Sequence, residues 1–87
     1  MSRENFREVD ILRHGDGVVA IISERVDNGR HSVGVMREFD RRGQTERSTF
    51  LAPHQIPAAI DLLTQANGLI EQLEDRARAR IRKGASQ

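Results

Sequence analysis

The side chains best equipped for chemistry in this chain are its arginines. Of the 14 basic residues only Lys83 is lysine. A guanidinium forks onto phosphate oxygens and stacks on flat rings, so the bias reads as nucleic-acid recognition. A coding sequence rich in G and C produces the same bias. The 13 acidic residues bring the net charge to +1, so only a segregated distribution of charge would carry function. Arg25 and Arg47 in the strands, with Arg30, Arg41 and Arg42 in the turns, are the set able to follow a phosphate backbone. An ordinary solvated face, offset by Glu38, is the equal reading. The run Arg76, Arg78, Arg80, Arg82 and Lys83 has alternate spacing, which spreads it around a helix. It suits a solvated helix end, where positive charge complements the dipole.

Other chemistries lack their parts. His14, His31 and His54 fall at a turn, a strand start and a helix start, read as surface positions, and no two share a metal-ligand spacing. Ser23, Ser32, Ser48 and Thr49 have no nucleophile-elbow context. Gly15 and Gly17 lead from one strand into another, so they open no phosphate-binding helix. There is no cysteine, hence no disulfide and no thiolate zinc site. The expectation is a chain that is no enzyme, holds no metal or cofactor and takes no small-molecule substrate.

The elements that must position the arginines follow from periodicity. Phe6 to Arg13 is a weak strand with Val9 and Ile11 on one face. Val18 to Val26 is a strong one, rich in β-branched residues. Asn28-Gly29 predicts a two-residue hairpin loop into a return strand, His31 to Phe39. A turn centred on Arg41-Arg42 leads to a last strand, Gln44 to Leu51. With those loops Ile22 faces Val35, Ala20 faces Arg37, and Arg37 faces Glu46 as an ion pair. One face then holds Val18, Ala20, Ile22, Val33, Val35, Phe39 and Phe50, the seat for a helix. The other holds Ser23, Arg25, Ser32, Met36, Thr45 and Arg47 and is open.

The helix signal begins at Pro53, with a second proline at 57 that places the regular start near Ile56. Ile56, Ala59, Ile60, Leu63, Ala66, Ile70, Leu73, Ala77 and Ile81 form an apolar stripe. Asn67-Gly68 is a weak point within one helix. Residues 54 to 82 would span roughly 43 Å, longer than a nine-residue strand at about 30 Å. The overhang leaves Ile70, Leu73, Ala77 and Ile81 in search of a partner, which predicts a homodimer. The domain is drawn at 1–83, with 84–87 a disordered tail.

The run Ile22-Ser23-Glu24-Arg25-Val26-Asp27-Asn28-Gly29-Arg30, followed by Val33-Gly34-Val35-Met36-Arg37-Glu38-Phe39, resembles the central hairpin of PUR repeats. Ser48-Thr49-Phe50-Leu51-Ala52-Pro53-His54 resembles their last strand running into the helix. The arrangement is also similar to Whirly proteins and to the positive-cofactor transcriptional coactivators, over roughly residues 6 to 73. The resemblance implies a homodimer that binds single-stranded DNA or RNA on an open sheet face. Arg25, Arg30, Arg41, Arg42 and Arg47 match the positions that would contact it. Such proteins also carry aromatic side chains on that face, and this chain has three Phe, no Tyr and no Trp.

The expected fold is therefore α+β, a four-stranded antiparallel meander followed by one long C-terminal helix. The longest apolar run, Val18 to Ile22, is too short for a membrane span, and the charged N-terminus does not read as a signal peptide, so the default location is cytoplasmic. The rival to nucleic-acid binding is a small homodimeric interaction or structural module, supported by the near-zero net charge.

Overall fold

The computed structural model describes residues 5–85, and their side chains through 79. Four strands form one antiparallel sheet in sequence order: β1 (Phe6–His14), β2 (Val18–Arg25), β3 (His31–Arg41) and β4 (Gln44–Ser48). A 3₁₀ turn (Pro53–Gln55) leads into α1 (Ile56–Ala85). The α+β meander with a terminal helix is thus the architecture. α1 runs two residues past the boundary drawn at 83, and residues 86–87 lie outside the described part.

β2 is interior because it is apolar on both faces. Val18 to Ile22 are all buried. Its even-numbered side, Val18 and Ala20, packs with Ala58, Ala59 and Leu62 of α1, closed laterally by Leu12, Val33, Val35 and Leu51. The alanines let the helix settle close to the sheet, and Leu62 is the one large side chain of α1 at the centre of the contact.

Both hairpins differ from the expected register by two residues. β2 pairs with β3 as Ile22↔Val33, Ala20↔Val35 and Val18↔Arg37. The Asn28-Gly29 loop is wider than two residues because only Gly29 takes a positive φ. Asn28 instead uses its side-chain oxygen to accept the Arg30 N–H, and the Gly29 N–H reaches back to the Arg25 carbonyl. The tight two-residue turn is the next one, Arg42-Gly43, where both residues have positive φ (52° and 81°), as a type I′ turn requires. β3 then pairs with β4 as Phe39↔Glu46 and Arg37↔Ser48, so the expected Arg37–Glu46 ion pair does not form.

A shift of two preserves side-chain parity, so the faces stay as assigned for the paired strands. Phe50 is the exception. β4 ends at Ser48, whose hydroxyl accepts the Phe50 N–H at 3.1 Å and bends the chain off the sheet. Phe50 is 82% exposed rather than under the helix.

The helix start follows the prolines. Pro53 opens the 3₁₀ turn, and Pro57 sits in the first turn of α1, where no N–H is needed. Gln55, buried, locks the junction. Its Oε1 accepts the Ala52 N–H and its Nε2 donates to the Asp16 carbonyl. α1 continues unbroken through Asn67-Gly68.

Candidate nucleic-acid interface

The helix-free face of the sheet is built from the odd-numbered residues of β2 and their neighbours. Ile11, Val19, Ile21 and Met36 make an apolar centre, with Gly34 between them. Met36 folds back over Gly34, whose hypothetical Cβ would lie 3.4 Å from the Met36 methyl. Charged groups flank this centre at both ends.

At one end Glu38 is bracketed by two guanidiniums. Arg47 Nε donates to its Oε2 at 3.0 Å and Arg13 donates to its Oε1. Arg13 belongs to the candidate set although its sequence context gave it no special standing. Its pairing with Val19 is what places it on this face. Burial pushes the Glu38 carboxyl up, but the hydrogen bonds and charges of Arg47 and Arg13 outweigh it and hold it below the ordinary carboxylate range. A group depressed in the folded state adds stability above its unfolded value and loses it as pH falls through the folded one. Glu38→Gln should therefore flatten the loss of stability below about pH 4.5, while matching the parent's pH dependence above pH 6. Denaturant midpoints measured between pH 3 and 7 check this.

At the other end Arg25 forms a two-pronged pair with Asp27, at 3.1 and 3.0 Å. That hydrogen bonding holds the Asp27 carboxyl below its ordinary range. The guanidinium also lies over the Phe6 ring, 5.3 Å from its centroid. Phe6 reaches this face because β1 carries a bulge between Glu8 and Asp10 that flips the strand's alternation. The bulge also separates Val9 from the simple face it was to share with Ile11.

The turn arginines are exposed. Arg41 approaches Glu46 at 3.7 Å and Arg42 projects from the tip of the β3–β4 turn. Arg30 is exposed in the β2–β3 loop, at the Arg25 end. Arg25 and Arg30 thus stand at one end and Arg42 and Arg47 at the other, separated by the apolar centre, while Arg41, an odd-numbered residue of β3, falls with its partner Glu46 on the helix side of the sheet and not on the open face where it was expected.

The remaining sites stand elsewhere. His31 is no surface residue: its side chain is 5% exposed and lies between Glu74 of α1, at 3.2 Å, and Glu24 of β2, at 3.8 Å. The overhang therefore begins later than expected, because Glu74 ties the second half of α1 to the sheet. Leu73 and Ala77 are half-buried beside the Asn28–Gly29 loop, and Ile70 is also half-buried. The side chain of Ile81 lies outside the described residues. The apolar residues of α1 that stand exposed are nearer its start: Ile56, Ile60 and Leu63. Among the described residues no cluster of His, Cys, Asp or Glu could hold a metal ion. No helix among them is long and apolar enough to cross a membrane.

The fold and its bare sheet face define a ββββα module with one covered and one open surface. Comparison with protein families, with curated proteins and with solved structures gives no significant match.

Proposed function

We propose that the open sheet face binds single-stranded DNA or RNA, as the resemblance to PUR-repeat and Whirly proteins implies. The observation that carries this reading is the grouping of Arg13, Arg25 and Arg47 on the one face that α1 leaves free, with the exposed Arg42 at the tip of the adjoining turn. Phe6 beneath Arg25 supplies ring surface on which a base stacks, a contact worth roughly 1–3 kcal/mol per base. Between the arginine groups the half-buried Ile11 and Met36, lying over the buried Val19 and Ile21, give an apolar surface that suits the faces of unpaired bases. It would not suit a duplex, whose bases are hidden. No catalytic step is part of this reading.

A second reading is favoured by one feature. Arg25 is paired to Asp27, and Arg13 and Arg47 share Glu38, so the strand guanidiniums are largely neutralised within the chain. A face of that kind also suits docking of another protein. Salt dependence separates the two. If about four phosphates are neutralised, the logarithm of affinity for a single strand falls with slope of about −2.8 against the logarithm of salt concentration. Raising salt from 50 to 200 mM would then weaken binding of a labelled 20-nucleotide strand roughly 50-fold. No binding at 50 mM salt in a fluorescence-anisotropy titration would leave the interaction module as the function.

A further inference from the structure

The outer edge of β3 is only half covered. β4 pairs with Arg37 to Arg41 and then bends away. The ladder bonds fix which way each residue of β3 points. Glu38 donates to Gly17 of the β1–β2 turn and Arg30 accepts from Arg25, so the even-numbered residues bond toward β2. The odd-numbered ones point the other way. His31, Val33 and Val35 therefore direct three N–H and three C=O groups outward, and no residue among those described bonds to them. An edge of this kind is a template for another strand.

We propose that a second copy of this chain occupies that edge, with the two β3 strands antiparallel about a two-fold axis at Val33. The register is determined by the groups available. Pairing Val33 with its own counterpart, and His31 with Val35 on each side, satisfies all the outward groups at once. Moving the axis by one outward residue in either direction leaves some of them unpaired or collides with the bonds of Arg37 to Ser48. The result is one continuous eight-stranded sheet.

A further observation points to a copy of the same chain rather than a foreign strand. It is the apolar stripe of α1, exposed over the first half of the helix. Ile56, Ile60, Leu63, Asn67 and Ile70 recur at spacings of four, three, four and three, the 3.5-residue repeat of a helix that packs on another helix. Glu74, seven residues after Asn67 on the same stripe, reaches His31 of β3, while Asp61 on the opposite side of α1 approaches His14 of β1. The stripe therefore lies above the open flank of β3. A two-fold axis normal to the sheet brings the two stripes together, antiparallel, on the same side as the two edges. Ile60 is 58% exposed in the isolated chain and would be covered.

This places the partner on the front half of α1 and on β3, rather than on the far end of the helix. It is independent of what the open face binds. The chain has no cysteine, so Val33→Cys introduces a single thiol whose counterpart lies across the axis, at a hydrogen-bonded pair separation of about 5.5 Å, within disulfide range. Mild oxidation should convert Val33→Cys to a covalent dimer as the principal species and leave Gln44→Cys, on the β4 edge, a monomer. Val35→Pro removes an outward N–H, together with a side chain that packs at the margin of the core, and should weaken self-association about tenfold or more in sedimentation equilibrium. If that variant does not fold, hydrogen exchange on the parent decides. The Val33 and Val35 amides should become protected as concentration rises through the dimerisation range. A parent that stays monomeric at 0.5 mM, or a dimer in which these amides exchange freely and Val33→Cys does not cross-link, would overturn the proposal. The first outcome would leave the edge to a foreign strand, the second would return the interface to the helix end.

Discussion

Leu62→Ala is expected to cost about 3–5 kcal/mol and to leave the chain largely unfolded at 37 °C. The size follows from what surrounds the side chain. Leu62 is 1% exposed, and the buried residues clustered with it are Val18 and Ala20 across the helix–sheet contact and Ala58 and Ala59 of its own helix. Three of those four are alanines, which have no further atoms to move into the vacated space. The cavity therefore stays open, and the cost falls toward the upper part of the range seen for leucine truncation. A domain of this length has roughly 4–13 kcal/mol of total stability, so the loss is a large share of it. Gln65→Ala, on the exposed side of the same turn, should change stability by less than about 0.5 kcal/mol. Urea denaturation followed by circular dichroism checks both. A Leu62→Ala protein within about 1 kcal/mol of its parent would mean that α1 does not seat on the sheet through this side chain.

The elements of this fold were legible because each carries its own signal. Val18 to Ile22 reads as a buried central strand from composition alone, and the stripe from Ile56 onward reads as a helix covering it. The face assignment survived two register errors because both were shifts of two residues, which parity does not register. The errors themselves came from turn chemistry. Asn28-Gly29 carries the strongest hairpin signal in the chain, yet Asn28 spends its side chain on the Arg30 N–H and leaves only Gly29 with a positive φ. Arg42 carries no such signal and adopts the left-handed conformation anyway, held between the ladder bonds of Arg41 and Gln44. Of the candidate site, Arg25 and Arg47 could be placed on the open face by alternation. Their carboxylate partners could not be assigned without the register, because Glu38 meets Arg47 only in the pairing that the Arg42-Gly43 turn sets. Arg13 and Phe6 were missed for a related reason. β1 alternates weakly, and its bulge leaves no trace in periodicity. His31 read as a surface residue because Glu74 is 43 positions away and only the angle of α1 brings the two together.

The arginine set is the place where opposing substitutions should move one observable in opposite directions. Replacing Arg13, Arg25 and Arg47 by Gln, together with Arg42→Asn, removes four cations from the proposed interface. Asn is chosen at 42 because it tolerates the positive φ there. Affinity for a labelled single strand at 50 mM salt should fall by about 100-fold or more, and the salt slope should approach zero as the phosphate contacts are lost. The helical content should be unchanged, since none of the four side chains touches the core. Glu38→Gln should act the other way. It removes the carboxylate that Arg13 and Arg47 share, raises the local charge by one and frees two guanidinium forks toward solvent. Affinity should rise several-fold, with a steeper salt slope. A surface that merely happens to carry arginines would not distinguish these variants, because neither change alters the core or the backbone. A module that docks another protein through the neutral Arg13–Glu38–Arg47 group predicts the reverse for Glu38→Gln, since breaking the group leaves two unpaired charges to desolvate on docking. The sign of the Glu38→Gln effect on single-strand binding therefore decides whether these guanidiniums are held in reserve for phosphate or are consumed by their own carboxylates.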